Sequence, residues 1–250
     1  DDLPICTIDA VKDVIFVNNN ETLKIAKQIL SNERRYIGLD LECVVKEFPI
    51  KNAPKYCQIL QVATSTKTIV FDLQSIPSKY NASTHSSLIN PEEFDSMLYS
   101  IFYDSTIIKI GMSFDSDLKL LRKQYPYLKC FKCIIKSYFE LEKLLLFLRT
   151  IKGQELFNVD ICKENLIKRK LSKTNTKREG GLPTIVRHIL GERLLKKEQL
   201  SNWARRPLRI SQLQYSAIDA KIQLTIYDKL QEIYSNVLST RKWIKDLSRY

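Results

Sequence analysis

The segment Tyr36-Ile37-Gly38-Leu39-Asp40-Leu41-Glu42-Cys43 constrains this chain more than any other. Side chains alternate across a β-strand. Ile37, Leu39, Leu41 and Cys43 therefore share one face, and Gly38, Asp40 and Glu42 share the other. The apolar face needs a packed layer over it. The other face sets two carboxylates side by side, where they repel one another and resist burial. Two arrangements answer this conflict. In one, the strand is at a sheet edge with a solvated acidic face. In the other, a cation sits between the acids.

The flanking segments give this strand neighbours. Val14 to Val17, Tyr56 to Ala63, Thr68 to Leu73 and Thr106 to Ile110 read as further strands, rich in β-branched and aromatic residues. Glu21 to Leu30 carries a helical stripe of Leu23, Ile25, Ala26, Ile29 and Leu30. Asn90-Pro91-Glu92-Glu93 is a helix start, with a cap, proline at the first position and acids in the first turn, for a helix running to about Tyr103. A further helix is expected from about Asp117 to Gln124, stopped by Pro126. Ile134 to Arg149 should hold a last strand and a helix, and a final long helix begins near Ser211, with Ser211 and Gln214 as its capping box. Strands come first, then alternating strands and helices, then helices. That order predicts an α/β fold, a mixed sheet with helices on its faces.

The length of 250 residues suits one domain with a real core, residues 1–250. A start at Asp1 rather than Met reads as a fragment of something longer. Residues 160–181 break the pattern with seven basic groups, from Lys163 to Arg178, closed by Gly180-Gly181; they read as a mobile basic insertion. The longest wholly apolar run, Leu144 to Leu148, is far short of the roughly 20 residues of a membrane span. The net charge of +12 favours a polyanionic partner, a nucleic acid or an anionic membrane face. Among the six cysteines, Cys130 and Cys133 form a C-x-x-C, but no second pair or paired histidines complete a zinc site. Zinc is not expected, and reduced intracellular thiols are.

Two more acidic elements follow. Asp117 opens a helix six residues after Gly111, where helix capping alone would explain an acid and where Asp115 competes for any special role. Tyr215 and Asp219, four apart in the last helix, lie on one helical face. Each element by itself is common.

Together and in this order, the D-x-E strand, the aspartate after a strand–glycine turn and the helical Y-x-x-x-D resemble the three motifs of the DEDD exonuclease superfamily, tyrosine subtype. RNase D and the Werner-type exonuclease domains belong to it, and its ribonuclease H-like fold agrees with the α/β reading. The family's spacing from glycine to the second-motif acid selects Asp117 over Asp115. The segment Gln199-Leu200-Ser201-Asn202-Trp203-Ala204-Arg205-Arg206-Pro207-Leu208 resembles the signature of the Nibbler branch, which includes the nematode mutator-class exonuclease. The resemblance spans roughly residues 12 to 235. One departure is Cys43, where many relatives carry Trp after the first-motif Glu; it puts substrate packing at the scissile end in doubt.

The resemblance implies two divalent ions, Mg²⁺ or Mn²⁺, held by Asp40, Glu42, Asp117 and Asp219. In it Asp40 touches both ions, and Tyr215 orients the attacking water. It further implies 3′–5′ hydrolysis of single-stranded RNA to nucleoside monophosphates, the trimming of small silencing RNAs, an Argonaute-type partner, and a place in cytoplasm, nucleus or a perinuclear RNA granule. Lys196, Lys197, Arg205, Arg206 and Arg209 are candidates for phosphate contacts. Trp203, Tyr56 and Phe114 are candidates for base stacking, each set against the alternative of a core or structural role. A catalytically silent RNA-binding scaffold and a DNA exonuclease are the competing functions.

Overall fold

The computed structural model describes residues 3–33, 35–45, 55–78, 88–152, 181–239 and 243. The basic stretch at 160–181 lies outside them but for Gly181, as do Cys162 and His85. The elements in chain order are α1 (Ala10–Asp13), β1 (Val14–Val17), α2 (Asn20–Asn32), β2 (Tyr36–Val45), β3 (Lys55–Ala63), β4 (Thr68–Asp72), α3 (Pro91–Tyr103), β5 (Ile108–Gly111), α4 (Phe114–Gln124), α5 (Lys129–Lys132), β6 (Tyr138–Glu140), α6 (Leu141–Lys152), α7 (Leu182–Leu190), α8 (Ile210–Ile233) and α9 (Ser235–Leu238).

Among the described residues the strands form one six-stranded mixed sheet in the order β1-β4-β3-β2-β5-β6. β2 pairs antiparallel with β3 and parallel with β5. It is therefore an interior strand, and the edge-strand explanation of its acids fails. Its alternation holds. Ile37, Leu39 and Leu41 join Leu60, Val62, Ile69 and Phe71 in one core, covered by Leu23 and Leu30 of α2, Phe94 and Leu98 of α3, and Phe114 and Leu121 of α4. The opposite face belongs to α8. A Cβ on Gly38 would lie 2.3 Å from the Ala220 carbonyl oxygen, so only glycine lets the helix come this close to β2. On that side Ala220, Leu224 and Tyr227 pack with Ile108, Ile110 and the apolar faces of α6 and α7. A smaller cluster joins Ile59 and Val70 to Trp203, Tyr215 and Ala217.

Local chemistry accounts for several boundaries. Asn90 caps α3, accepting from the Glu92 and Glu93 amides at 2.9 and 3.2 Å. Gly191 ends α7 in the left-handed region, φ 67°. Two expected helix starts move. α4 begins at Phe114 rather than Asp117, because the Glu140 carboxylate reaches back from β6 to accept from the Ser113 and Asp115 amides at 2.5 and 3.0 Å. α8 begins at Ile210, and Ser211 is not its cap. Instead the Gln212 side chain accepts from the Arg209 amide at 3.1 Å and donates to Ser201 Oγ and the Asn202 carbonyl, tying the helix to the segment before it. Among the described residues no helix is long and apolar enough to cross a membrane.

Candidate active site

The site forms where β2 passes under α8. Asp40 and Glu42 point from β2 to the helix side, and Asp219 points down from α8. The carboxylate oxygens of these three residues lie within 4.8 Å of one another. They meet at a cleft of ≈ 680 Å³ walled by Met112 and Ser113 on one side and by α7, residues 193–196 and Gln199 on the other. Next to Glu42 the β2–β3 register slips, so that Glu42 faces Ile59 while Cys43 faces Cys57. Such a bulge bends the sheet and re-aims the side chains beside it.

The electrostatics show a donor set short of positive charge. Burial, then the Asp219 charge, push the Asp40 carboxyl well above the usual carboxylate range. Burial, then Asp40, then Asp219 push Glu42 up to about 10. Asp219 is also raised by burial, although Lys196 pulls it back. The Lys196 ammonium sits 2.8 Å from Asp219 Oδ2. The other oxygen, Oδ1, is buried with no hydrogen-bond partner. Three clustered carboxylates, one with a free buried oxygen, fit a hard divalent cation. Asp117, half-buried in the first turn of α4, is not part of the tight cluster but acts on Asp40 as a neighbouring negative charge. At that helix end the Ser113 and Asp115 amides are taken by Glu140. Asp115 is exposed and is not among the charges acting on Asp40.

Tyr215 stands one helical turn before Asp219 and lines the same cleft. Burial, then the Asp219 and Glu42 charges, push its phenol far above the ordinary value. It stays neutral and acts as a donor.

The residues expected to hold nucleic acid divide. Lys196 lines the cleft, with its ammonium 5.4 Å from the centre of the Tyr215 ring. Lys197 and Arg205 are exposed. Arg209 pairs with Glu198 at 2.5 Å on the surface. Trp203 is not a base platform: it is fully buried, with its ring centre 6.0 Å from that of Tyr215. Phe114 is likewise core. Arg206 grips Asp72 through Nε and Nη2, at 2.8 and 2.5 Å, and donates to the Trp203 and Arg205 carbonyls. Trp203 and Arg206 thus lock residues 199–208 behind Tyr215 instead of touching a substrate. Cys43 packs on the far core, across the sheet from the cleft, so it is not the substrate contact its position suggested. Tyr56 is half-buried.

Sequence reasoning missed Arg187 and Arg193, which line the cleft, and Gln61. Gln61 faces Asp40 directly across the β2–β3 ladder, on the same side of the sheet, and is fully buried with both amide atoms unpartnered. A glutamine inside an apolar strand was its only signal.

The model of the 3′–5′ exonuclease family matches residues 14–234. An exonuclease mut-7 homologue of Drosophila melanogaster is 31% identical over 175 residues, covering 70% of this chain and 24% of that protein. The chain thus spans about a quarter of that relative's length. The EXO domain of Aedes aegypti Nibbler superposes with a TM-score of 0.68 at 20% identity, covering 97% of this chain and 99% of that one. RNase D of Escherichia coli superposes at 0.57 with 15% identity, covering 93% of this chain and 48% of that one. The six-stranded mixed sheet is therefore the ribonuclease H-like exonuclease sheet. The chain belongs to the 3′–5′ exonuclease family, and within it aligns with the mut-7 and Nibbler members.

Proposed function

We propose that this exonuclease domain trims the 3′ ends of single-stranded RNA with divalent metal ions, releasing nucleoside 5′-monophosphates. The observation that carries the reading is the convergence of Asp40, Glu42 and Asp219 within 4.8 Å on the floor of an open cleft. Asp40, Glu42 and Asp219, with Asp117 beside Asp40, would hold Mg²⁺ or Mn²⁺. Such ions neutralise charge at phosphorus and make a bound water acidic enough to attack. The chain's own residues do the rest. Tyr215, held neutral by burial and its acidic neighbours, orients the attacking water and takes no proton from it. Trp203 and Arg206 fix Tyr215 from behind. Lys196, Arg187 and Arg193 line the wall along which a phosphate backbone would run.

RNA is favoured over DNA by the fold shared with Escherichia coli RNase D, an exoribonuclease. Small silencing RNAs as substrate, an Argonaute-type partner, and cytoplasm, nucleus or an RNA granule as location extend the same reading. One observation favours the silent-scaffold alternative: Lys196 already neutralises Asp219. A time course on 5′-labelled single-stranded RNA separates the two, run with Mn²⁺, Mg²⁺ or EDTA beside Asp40→Asn and a DNA of equal sequence. A metal-dependent ladder shortening from the 3′ end, absent in the variant, is expected. Tight RNA binding with no ladder under any metal would sink the nuclease reading.

A further inference from the structure

Lys196 is the one cation within hydrogen-bond distance of the acidic cluster among the described ion pairs, and its placement is unusual for a phosphate ligand. Within the cleft lining its ammonium is turned onto a carboxylate. It bonds Asp219 Oδ2 at 2.8 Å, over the Tyr215 ring, and its charge also lowers the proton affinity of Asp40 and Glu42. The Asp219 carboxylate is nearly inaccessible, whereas the Lys196 side chain keeps 27% of its surface exposed. It is anchored at one end in a surface segment and can withdraw without unpacking a core. A cation approaching the cluster must share Asp219 with it or displace it.

We propose that Lys196 is an internal counter-ion that competes with divalent metal for Asp219, and that substrate phosphate relieves the competition by drawing the ammonium away. The inference rests on the metal-nuclease reading and adds a mechanism of loading to it. With the cleft empty, the ion pair offsets repulsion among three acids that would otherwise face one another unbalanced. When a phosphodiester enters, the ammonium gains a second anionic partner in the same cleft and Asp219 is released. Metal and substrate then help one another to bind, by the same factor in each direction. The site would load ions fully only on a strand end, which limits idle binding of metal by the free enzyme.

The test reads metal affinity without turnover. Mn²⁺ is titrated calorimetrically into the metal-stripped chain and into Lys196→Gln, Lys197→Gln and Asp219→Asn. Lys196→Gln is expected to bind Mn²⁺ about three- to tenfold more tightly, the effect of losing one close, partly exposed charge partner. Lys197→Gln, which removes the same charge from the neighbouring exposed position, should stay within about twofold, and Asp219→Asn should bind far more weakly. Equal tightening in both lysine variants would mean a diffuse charge effect and overturn the competition. So would unchanged or weaker binding in Lys196→Gln. If neither the wild type nor Lys196→Gln binds Mn²⁺ at all, the metal-nuclease reading itself falls, and this inference with it. The wild type supplies a second readout should Lys196→Gln fold poorly. Brief amine acylation followed by peptide mass spectrometry should show Lys196 labelling rise about twofold or more relative to Lys197 on adding Mn²⁺, as its ion pair opens. No change in that ratio would overturn the proposal.

Discussion

Tyr215 and Arg206 divide the labour of the site between chemistry and scaffold, and single substitutions separate the two. Tyr215→Phe keeps the ring against Trp203 and removes only the hydroxyl. Turnover should fall about 10²-fold, in line with losing one positioned hydrogen-bond donor, while KM and the melting temperature change little. Steady-state kinetics on a short RNA check this; an equal loss in KM would mean the hydroxyl binds substrate rather than orienting water. Arg206→Met acts on the fold. It strands the buried Asp72 carboxylate without its bidentate partner and leaves two carbonyls without their donor. Urea denaturation should show a loss of about 2–3 kcal/mol, the scale of a broken and mostly buried ion pair. An unchanged stability together with RNA binding lost uniformly across sequences would return Arg206 to the role its position in a basic stretch first suggested.

The elements of the fold were legible wherever one periodicity ruled. The β2 alternation and the Asn90-Pro91 start of α3 appear in the structure as the sequence predicts, and the α2 stripe does so except at Ile25, which is exposed. Strand and helix geometry also fix which side chains share a face, Asp40 with Glu42 and Tyr215 with Asp219; that the two pairs meet was implied by the family resemblance alone, and Asp40, Glu42 and Asp219 do converge. What escaped was set by contacts between elements. The start of α4 depends on Glu140 from a strand more than twenty residues onward, and Gln212, at the third position of α8, ties that helix back to Ser201 and Asn202. Trp203 and Arg206 resemble nucleic-acid ligands in composition, but Trp203 packs on Tyr215 of the next helix and Arg206 is claimed by Asp72, far away in the chain. Gly38 belongs to this scale as well. Its missing Cβ is what seats α8 on β2, and α8 carries both Tyr215 and Asp219. Gly38→Ala must push the helix off the strand, since the obstacle is the Ala220 carbonyl oxygen, which cannot rotate away. We expect a stability loss of about 2–3 kcal/mol from overpacking. Turnover should drop roughly tenfold or more as the acids above and below lose their spacing. A variant with wild-type melting and wild-type turnover would show that the helix has slack at this crossing.

At the scale of the whole molecule, the conflict first visible in β2 persists, because the folded chain crowds three carboxyl groups together where partial burial and mutual repulsion disfavour their charge. Glu42 has its carboxyl raised from 4.5 to about 10, and Asp40 and Asp219 are raised with it. Each of these groups holds more protons folded than unfolded between its two values. Their contribution is therefore complete below the unfolded value and is lost as pH climbs towards the folded one. For Glu42 the window runs from 4.5 to about 10. Lys109 works the other way. It is buried in β5 with its ammonium bonded to backbone carbonyls, and its value falls from 10.5 to about 8. It therefore adds stability only as pH rises above about 8. Between pH 5 and 8 the carboxylates govern the trend. In EDTA the melting temperature should fall steadily across that range. Added Mn²⁺ or Mg²⁺ binds only the folded, deprotonated cluster and so should restore it. The gap between metal-loaded and metal-free melting temperatures should accordingly widen with pH, and Asp219→Asn should flatten both the fall and the gap. Thermal melts at half-unit steps of pH, with and without metal, measure all of these. A gap that stays constant from pH 5 to 8 would mean that the cluster is already ionised in the free protein, with Lys196 and local solvation supplying the charge balance otherwise left to the metal.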